Sequence, residues 1–450
     1  DLCKRAEYTV VSGTYGGRDQ IYRGYYECFS GERMKVIKKW LMADEQNTMR
    51  RAALWNTIAS AEYSLQSAVL LLVVTRVGGL TEAGTFTIAY TVAQMMATIG
   101  SYAMRDYQAS DVSGKYKFST YWTSRMITIL VMLISCMGYA VLGKYAVQQI
   151  ILIGIFSIYR TVDDIEDVLQ GEMQRKYRLD VAAKIMAARI FIATLLFTIV
   201  YATTKNLFLA TATFAVTAIV AEVVLNAPVL EYFSEIQFRL NREGVAALLI
   251  TCFPLCAGGF LYNYLVNASK YAINRNMPEM YQTVFGILFM PIFVINMLSV
   301  FIYKPMVAEM GRLWSEGEKR NFFKIVIKQM LIIVGLTAIV VLGGYVIGLD
   351  ILGWIYGVDL AEYRGLFAIL LCFGGIAAMD AYFVLILTIM RRQKVVIVAY
   401  GVAAGLNLVM ADRLVQAYGV SGAGAVYGIT MSVVLLLLGM FMLLGKRRRK

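Results

Sequence analysis

Residues 53–75 read ALWNTIASAEYSLQSAVLLLVVT, and this stretch decides the fold. A helix of that length reaches about 35 Å, enough to cross a hydrocarbon core of ~30 Å. Its polar residues are not scattered. At about 100° per residue, Asn56, Ser60, Glu62, Tyr63, Gln66 and Ser67 fall within an arc of roughly 160°, shared with Trp55 and Ala59. The opposite side is apolar, with Leu54, Ile58, Ala61, Leu65, Ala68 and Val69. Such a helix turns one face to lipid or protein and the other to water or polar partners. Glu62 lies near mid-depth, where a charge costs at least ~2.5–3.5 kcal/mol to insert, so it marks a candidate functional position.

Outward from this span the pattern repeats. Apolar runs lie near 52–75, 84–104, 122–142, 145–162, 183–203, 206–226, 244–268, 279–303, 323–348, 363–390, 394–411 and 420–444. The 450 residues are 59% apolar and 16% charged, with a mean hydropathy of +0.62. Those figures exclude a soluble enzyme, a disordered chain and a nucleic-acid-binding domain. The expected fold is an all-α polytopic membrane protein with about 12 transmembrane helices. It reads as two six-helix bundles, related as a parallel pseudo-repeat around a central cavity.

Charge sets the expected orientation. Of 43 Lys and Arg residues, 35 fall on the segments that share a side with both chain ends, and seven fall on the other side. By the positive-inside rule both termini are cytoplasmic, and the net charge of +13 reflects topology rather than nucleic acid. With no histidine in the chain, His–metal sites and Ser-His-Asp or Cys-His catalysis are ruled out. No metal site, cofactor or enzymatic activity is expected. Cys252 and Cys256, one turn apart in an apolar run, read as small packing residues.

The expected organisation is a cytoplasmic segment 1–51, a bundle 52–226, an amphipathic linker 227–243, a second bundle 244–444 and a basic tail 445–450. Sequence character changes at Met34, which makes Met34 a candidate natural start and leaves 1–33 as candidate upstream sequence. All five prolines lie between Pro228 and Pro305. Pro254, inside span 7 and followed by Gly258 and Gly259, forms a candidate hinge; a static kink is the alternative.

Other polar residues sit inside spans. Asn263, Asn267 and Lys270 share one face of span 7 at i, i+4 and i+7. Asp380 is in span 10, Glu222 in span 6, Arg189 in span 5, and Arg125 opens span 3. Arg125, Arg189 and Lys270 either line a cavity or snorkel to headgroups. Glu222 is a candidate partner of Arg189. Glu62 and Asp380 are candidate sites for a coupling cation. The run Arg160, Asp163, Asp164, Glu166 and Asp167 reads as a solvated helix face with i+3 and i+4 pairs.

Several segments resemble a known family. They are TRVGGLTEAGTFTIAYT (75–91), MRDYQASD (104–111), NASKYAINRNMPEMYQTVFGILFMP (267–291), IYGVDLAEYRGLF (355–367) and TIMRRQK (388–394). Over about 50–445 the chain resembles the polysaccharide transporter branch of the multidrug/oligosaccharidyl-lipid/polysaccharide exporter superfamily, which includes O-antigen flippases. The resemblance implies a flippase for polyprenyl-pyrophosphate-linked oligosaccharide in a bacterial inner membrane, serving lipopolysaccharide or other surface polysaccharide biosynthesis. It implies membrane lipids and a glycan polymerase complex as partners, a coupling cation (H⁺ or Na⁺), and basic cavity residues for the pyrophosphate. Arg189 and Lys270 are carried over first, with Arg76 and Arg125 behind them; Asn263, Asn267, Glu62 and Gln66 complete the candidate cavity. Peptidoglycan-precursor flippases place arginines on the cavity face of span 1, whereas this chain has none between Arg51 and Arg76. The alternative is a cation-coupled multidrug exporter of the same superfamily.

Overall fold

A computed structural model describes residues 32–42, 48–111, 115–229, 241–303, 306–392 and 394–447. The readings made for 1–31 and for most of the linker, 230–240, lie outside the described residues. Fourteen α-helices follow one another: α1 (Glu32–Met42), α2 (Thr48–Ser101), α3 (Met104–Ser110), α4 (Phe118–Leu142), α5 (Val147–Arg175), α6 (Leu179–Thr204), α7 (Leu207–Asn226), α8 (Arg242–Asn276), α9 (Met280–Tyr303), α10 (Val307–Ser315), α11 (Lys319–Gly343), α12 (Leu349–Tyr356), α13 (Arg364–Ile389) and α14 (Lys394–Arg447). A π-helical turn, Gly344–Gly348, joins α11 to α12.

Twelve spans emerge from these helices. The α2 helix holds spans 1 and 2, reversing at Gly79 (φ 80°, ψ −176°). Leu71 and Thr87, eight residues to either side of that turn, both lie against Gly286. The α14 helix holds spans 11 and 12, reversing at Gly419 (φ 57°, ψ −132°). Thr430 there donates to Asn407 across the turn, at 2.8 Å. Both turns need a positive φ, which costs glycine least. Spans 3 to 8 are α4 to α9 in order, span 9 is α11 with α12, and span 10 is α13. Span 4 (α5) is the one among them too charged to register as a membrane helix by composition. Its Arg160, Asp163, Glu166 and Asp167 are paired within the bundle.

Boundaries moved for physical reasons. Span 7 runs to Asn276 rather than 268, which takes Lys270 and Arg275 onto the helix. Arg275 is held there by Asp412 at 2.8 Å. Span 9 continues through the π turn to Tyr356, where a loop was expected. Pro254 and Pro291 sit within otherwise unbroken helices.

Each half is locked by an aromatic core. Phe86, Phe156, Phe197 and Phe214 interlock across spans 2, 4, 5 and 6, with Tyr159 stacked on Phe214 at 4.2 Å. In the C-terminal half, Phe289 meets Tyr427 edge-on at 4.7 Å, and Tyr303 packs on Tyr382 at 5.1 Å. Spans 2 and 8 are each followed by a short helix, α3 and α10, as a parallel repeat requires. The α1 helix docks on the base of spans 4 to 6: Leu41 packs with Met173, Val181, Ile185 and Ala221. The Lys184 ammonium donates to the Trp40 and Leu41 carbonyls that end α1.

Candidate functional site

The polar arc of span 1 divides between two surroundings. Ala59 packs on Ala183 and Ala187. Gln66 is buried, donating to Thr194 at 3.2 Å and accepting from Tyr159 at 3.0 Å. Gln66 therefore faces the interior of its own half, not an open cavity. Thr57, Ser60 and Ser64 are exposed, and Asn56, Glu62 and Ser67 are half-buried. Among the described residues, Glu62 Oε2 has no hydrogen-bond partner.

Behind this face lies a buried ionic cluster. Arg189, 1% exposed, binds Asp163 at 2.7 Å and Glu166 on span 4, and lies 3.6 Å from Glu222 on span 6. Arg160, also 1% exposed, binds Asp163 at 2.5 Å and stacks over Tyr90 at 4.7 Å. Arg125, fully buried, donates to the Gly100 carbonyl at 2.7 Å and to Asp167 at 2.6 Å.

Two expectations are corrected here. The run from Arg160 to Asp167 is not a solvated face: Arg160, Asp164 and Glu166 are buried, because α5 extends to Arg175 inside the bundle. Neither Arg125 nor Arg189 snorkels; both are buried and paired with carboxylates, Arg125 with Asp167 and Arg189 with Asp163 and Glu166. The expected Arg189–Glu222 partnership is present, within a larger set.

The halves meet along one seam. At the end opposite the basic connections, Thr85 donates to Glu279 at 2.8 Å, and Gln149 reaches Glu279 at 3.0 Å and Asn274 at 3.1 Å. Thr283 donates to the Leu80 carbonyl at 2.7 Å. Arg76 donates to the carbonyls of Ile355 (2.7 Å) and Trp354, so it ties spans 1 and 9 together at the surface. Deeper, Asn263 donates to Thr98 at 2.9 Å, and Gly259 faces the same threonine. At the basic end, Leu248 and Cys252 pack with Phe118 and Tyr121. Cys252 and Cys256 are thus packing residues, as expected. Span 7 follows spans 2 and 3 throughout, while the basic-end half of span 1 keeps Thr57, Ser60 and Ser64 exposed.

The C-terminal half holds the remaining candidates. Asn267 is buried and donates to the Asn263 carbonyl at 3.0 Å. The Lys270 ammonium sits over the Phe289 ring at 5.3 Å, and among the described residues no carboxylate pairs with it. Phe289 touches Tyr427. Asp380 is 1% exposed, and neither carboxylate oxygen has a hydrogen-bond partner among the described residues. Sequence reasoning missed Glu279, Gln149 and Thr98. A Pro-Glu pair opening span 8 and a glutamine in the first turn of span 4 were the available signals.

No family model matches the sequence, and no curated protein matches it. Solved structures define the class by fold. The chain is similar to an inward-facing multidrug resistance MATE family transporter of the MOP superfamily, with TM-score 0.65 and 12% identity over 89% of this chain and 100% of that one. It is similar to the lipid II flippase MurJ in its inward closed conformation, with TM-score 0.68 and 11% identity over 86% and 87%. A MOP superfamily transporter from Pyrococcus furiosus, described as having a binding pocket of reverse polarity, gives TM-score 0.55 at 13% identity over 91% and 97%. The chain is a multi-pass membrane protein with the fold of these transporters.

Proposed function

We propose that the chain is a flippase that carries polyprenyl-pyrophosphate-linked oligosaccharide from the inner to the outer leaflet by alternating access, in a bacterial inner membrane with both termini cytoplasmic. The observation that carries this reading is Lys270, an ammonium within span 7 with no carboxylate partner among the described residues. A cation kept in that state suits an anionic headgroup. The exposed serines of span 1 support the same reading. Each glycan hydroxyl stripped of water without replacement costs roughly 1–3 kcal/mol or more, so the sugar needs a polar path while the polyprenyl tail stays in lipid. An inside-negative potential assists, at about 2.3 kcal/mol per charge per 100 mV. A glycan polymerase complex would take up the product.

The test is flipping in proteoliposomes, followed by a glycan-specific probe with and without an imposed potential. Transport that collapses in Lys270→Ala supports the reading. Absence of transport by folded wild-type protein across several glycans removes it.

The second reading, a cation-coupled multidrug exporter, is favoured by Asp380, a buried carboxylate with no hydrogen-bond partner among the described residues, which would take H⁺ or Na⁺. Drug-resistance profiles on overexpression separate the two readings.

A further inference from the structure

A polar cavity of about 460 Å³ opens at the basic end of the N-terminal half. Asn56 of span 1, Ser101 at the end of span 2, Ala103 after it, Arg105 of α3, Asp167 and Gln174 of span 4, and Leu179 at the start of span 5 line it. We propose that this cavity is a loading subsite for the sugar head of the lipid-linked substrate; the assignment rests on the flippase reading above.

The donor set argues for a neutral, hydroxyl-rich ligand. Two side-chain amides, a hydroxyl, one carboxylate and one guanidinium supply donors and acceptors in balance, as vicinal hydroxyls require. A pyrophosphate would instead need an excess of cations. Here Arg105 is offset by Asp167 at 3.8 Å, and Arg125 is spent behind Asp167 on that same carboxylate.

The wall is also built rather than incidental. Tyr102 and Ala103 both hold left-handed backbone (φ 49° and 50°), a conformation that non-glycine residues rarely adopt twice in succession. That turn swings α3 back so that Arg105 reaches Asp167. On span 1, Asn56 lies one turn from exposed Ser60, and Ser64 lies one turn further. A sugar leaving the cavity therefore meets a continuous polar stripe leading into the bilayer. By contrast, a second cavity, of about 720 Å³, is lined by Phe383, Leu435, Leu436, Met440, Leu443 and Leu444 and suits acyl chains only.

The test uses the full chain and the polyprenyl-pyrophosphate glycolipid fraction extracted from membranes of cells that carry it. In proteoliposomes, Asn56→Ala and Gln174→Ala should raise the half-saturating glycolipid concentration at least fivefold, leaving maximal flipping and melting temperature near wild type. In a chain whose six cysteines are replaced by alanine, Asn56→Cys should be protected at least threefold from a membrane-impermeant maleimide by the glycolipid fraction. Sugar-free polyprenyl pyrophosphate should not protect it. Equal protection by the sugar-free lipid overturns the assignment in favour of a pyrophosphate site. Wild-type saturation with no protection removes the cavity from the path and leaves the flippase standing. Failure of wild-type protein to flip the fraction overturns both.

Discussion

At the residue scale, Arg189 and Lys270 separate structure from function. Arg189 neutralises carboxylates on two helices, and removing one partner of a buried ion pair costs about 3–5 kcal/mol. Arg189→Ala should therefore lower the melting temperature in detergent and the folded yield, whatever it does to transport. Lys270→Ala removes a charge that no carboxylate holds, so the melting temperature should stay near wild type while flipping falls at least tenfold. Thermal unfolding measured beside flipping checks both. The sequence made both residues visible as charges in apolar runs. It did not distinguish them, because Arg189's partners lie 23 and 26 residues back and 33 residues ahead. Only the packing of spans 4, 5 and 6 shows which cation is consumed.

At the element scale, the spans were legible because burial in lipid forces long apolar runs, and the glycine turns at 79 and 419 left short polar marks. Span 4 was half-legible: its apolar first half ended in a charged run that also describes a solvated helix. The available signal was an apolar stretch too short to cross comfortably, with unmatched arginines in spans 3 and 5. The seam at the other end was not legible, since its side-chain bonds join residues 125 to 194 apart in sequence and part of its contact is to backbone. A β-carbon on Gly84 would collide with the Glu279 carbonyl, which cannot yield without moving the span 7–8 junction. Gly84→Leu should part the halves there. In a cysteine-free background, a cysteine at the buried Thr283 should then react several-fold faster with impermeant maleimide from that side. Pro254 lies between Cys252 and Cys256, where span 7 packs on spans 2 and 3, so Pro254→Ala should slow flipping several-fold with unchanged melting temperature. Full activity would leave it a static kink.

At the scale of the whole molecule, the halves touch at both ends, and the basic end adds an exposed polar face on span 1. Spans 2 and 7 run together, and the basic-end half of span 1 stands with its serines exposed. This is the arrangement expected for loading from the side that carries most of the Lys and Arg. A reporter active only in the cytoplasm, fused after Lys450, should be active, and one inserted between Gly357 and Glu362 should be silent. The reverse pattern would invert the transport direction argued above.

The charges of span 4 also impose an order of manufacture. While a ribosome has made only the first four spans, Glu166 has no Arg189 to meet and Asp163 keeps Arg160 alone, and a stranded charge disfavours partition into the bilayer by ~2.5–3.5 kcal/mol. The helix that the finished protein holds across the fold is therefore not one the insertion machinery can release alone. It must wait, shielded, until span 5 arrives. A nascent chain cut after Arg175 should stay cross-linkable to the translocon, and one cut after Asn226 should be free in lipid.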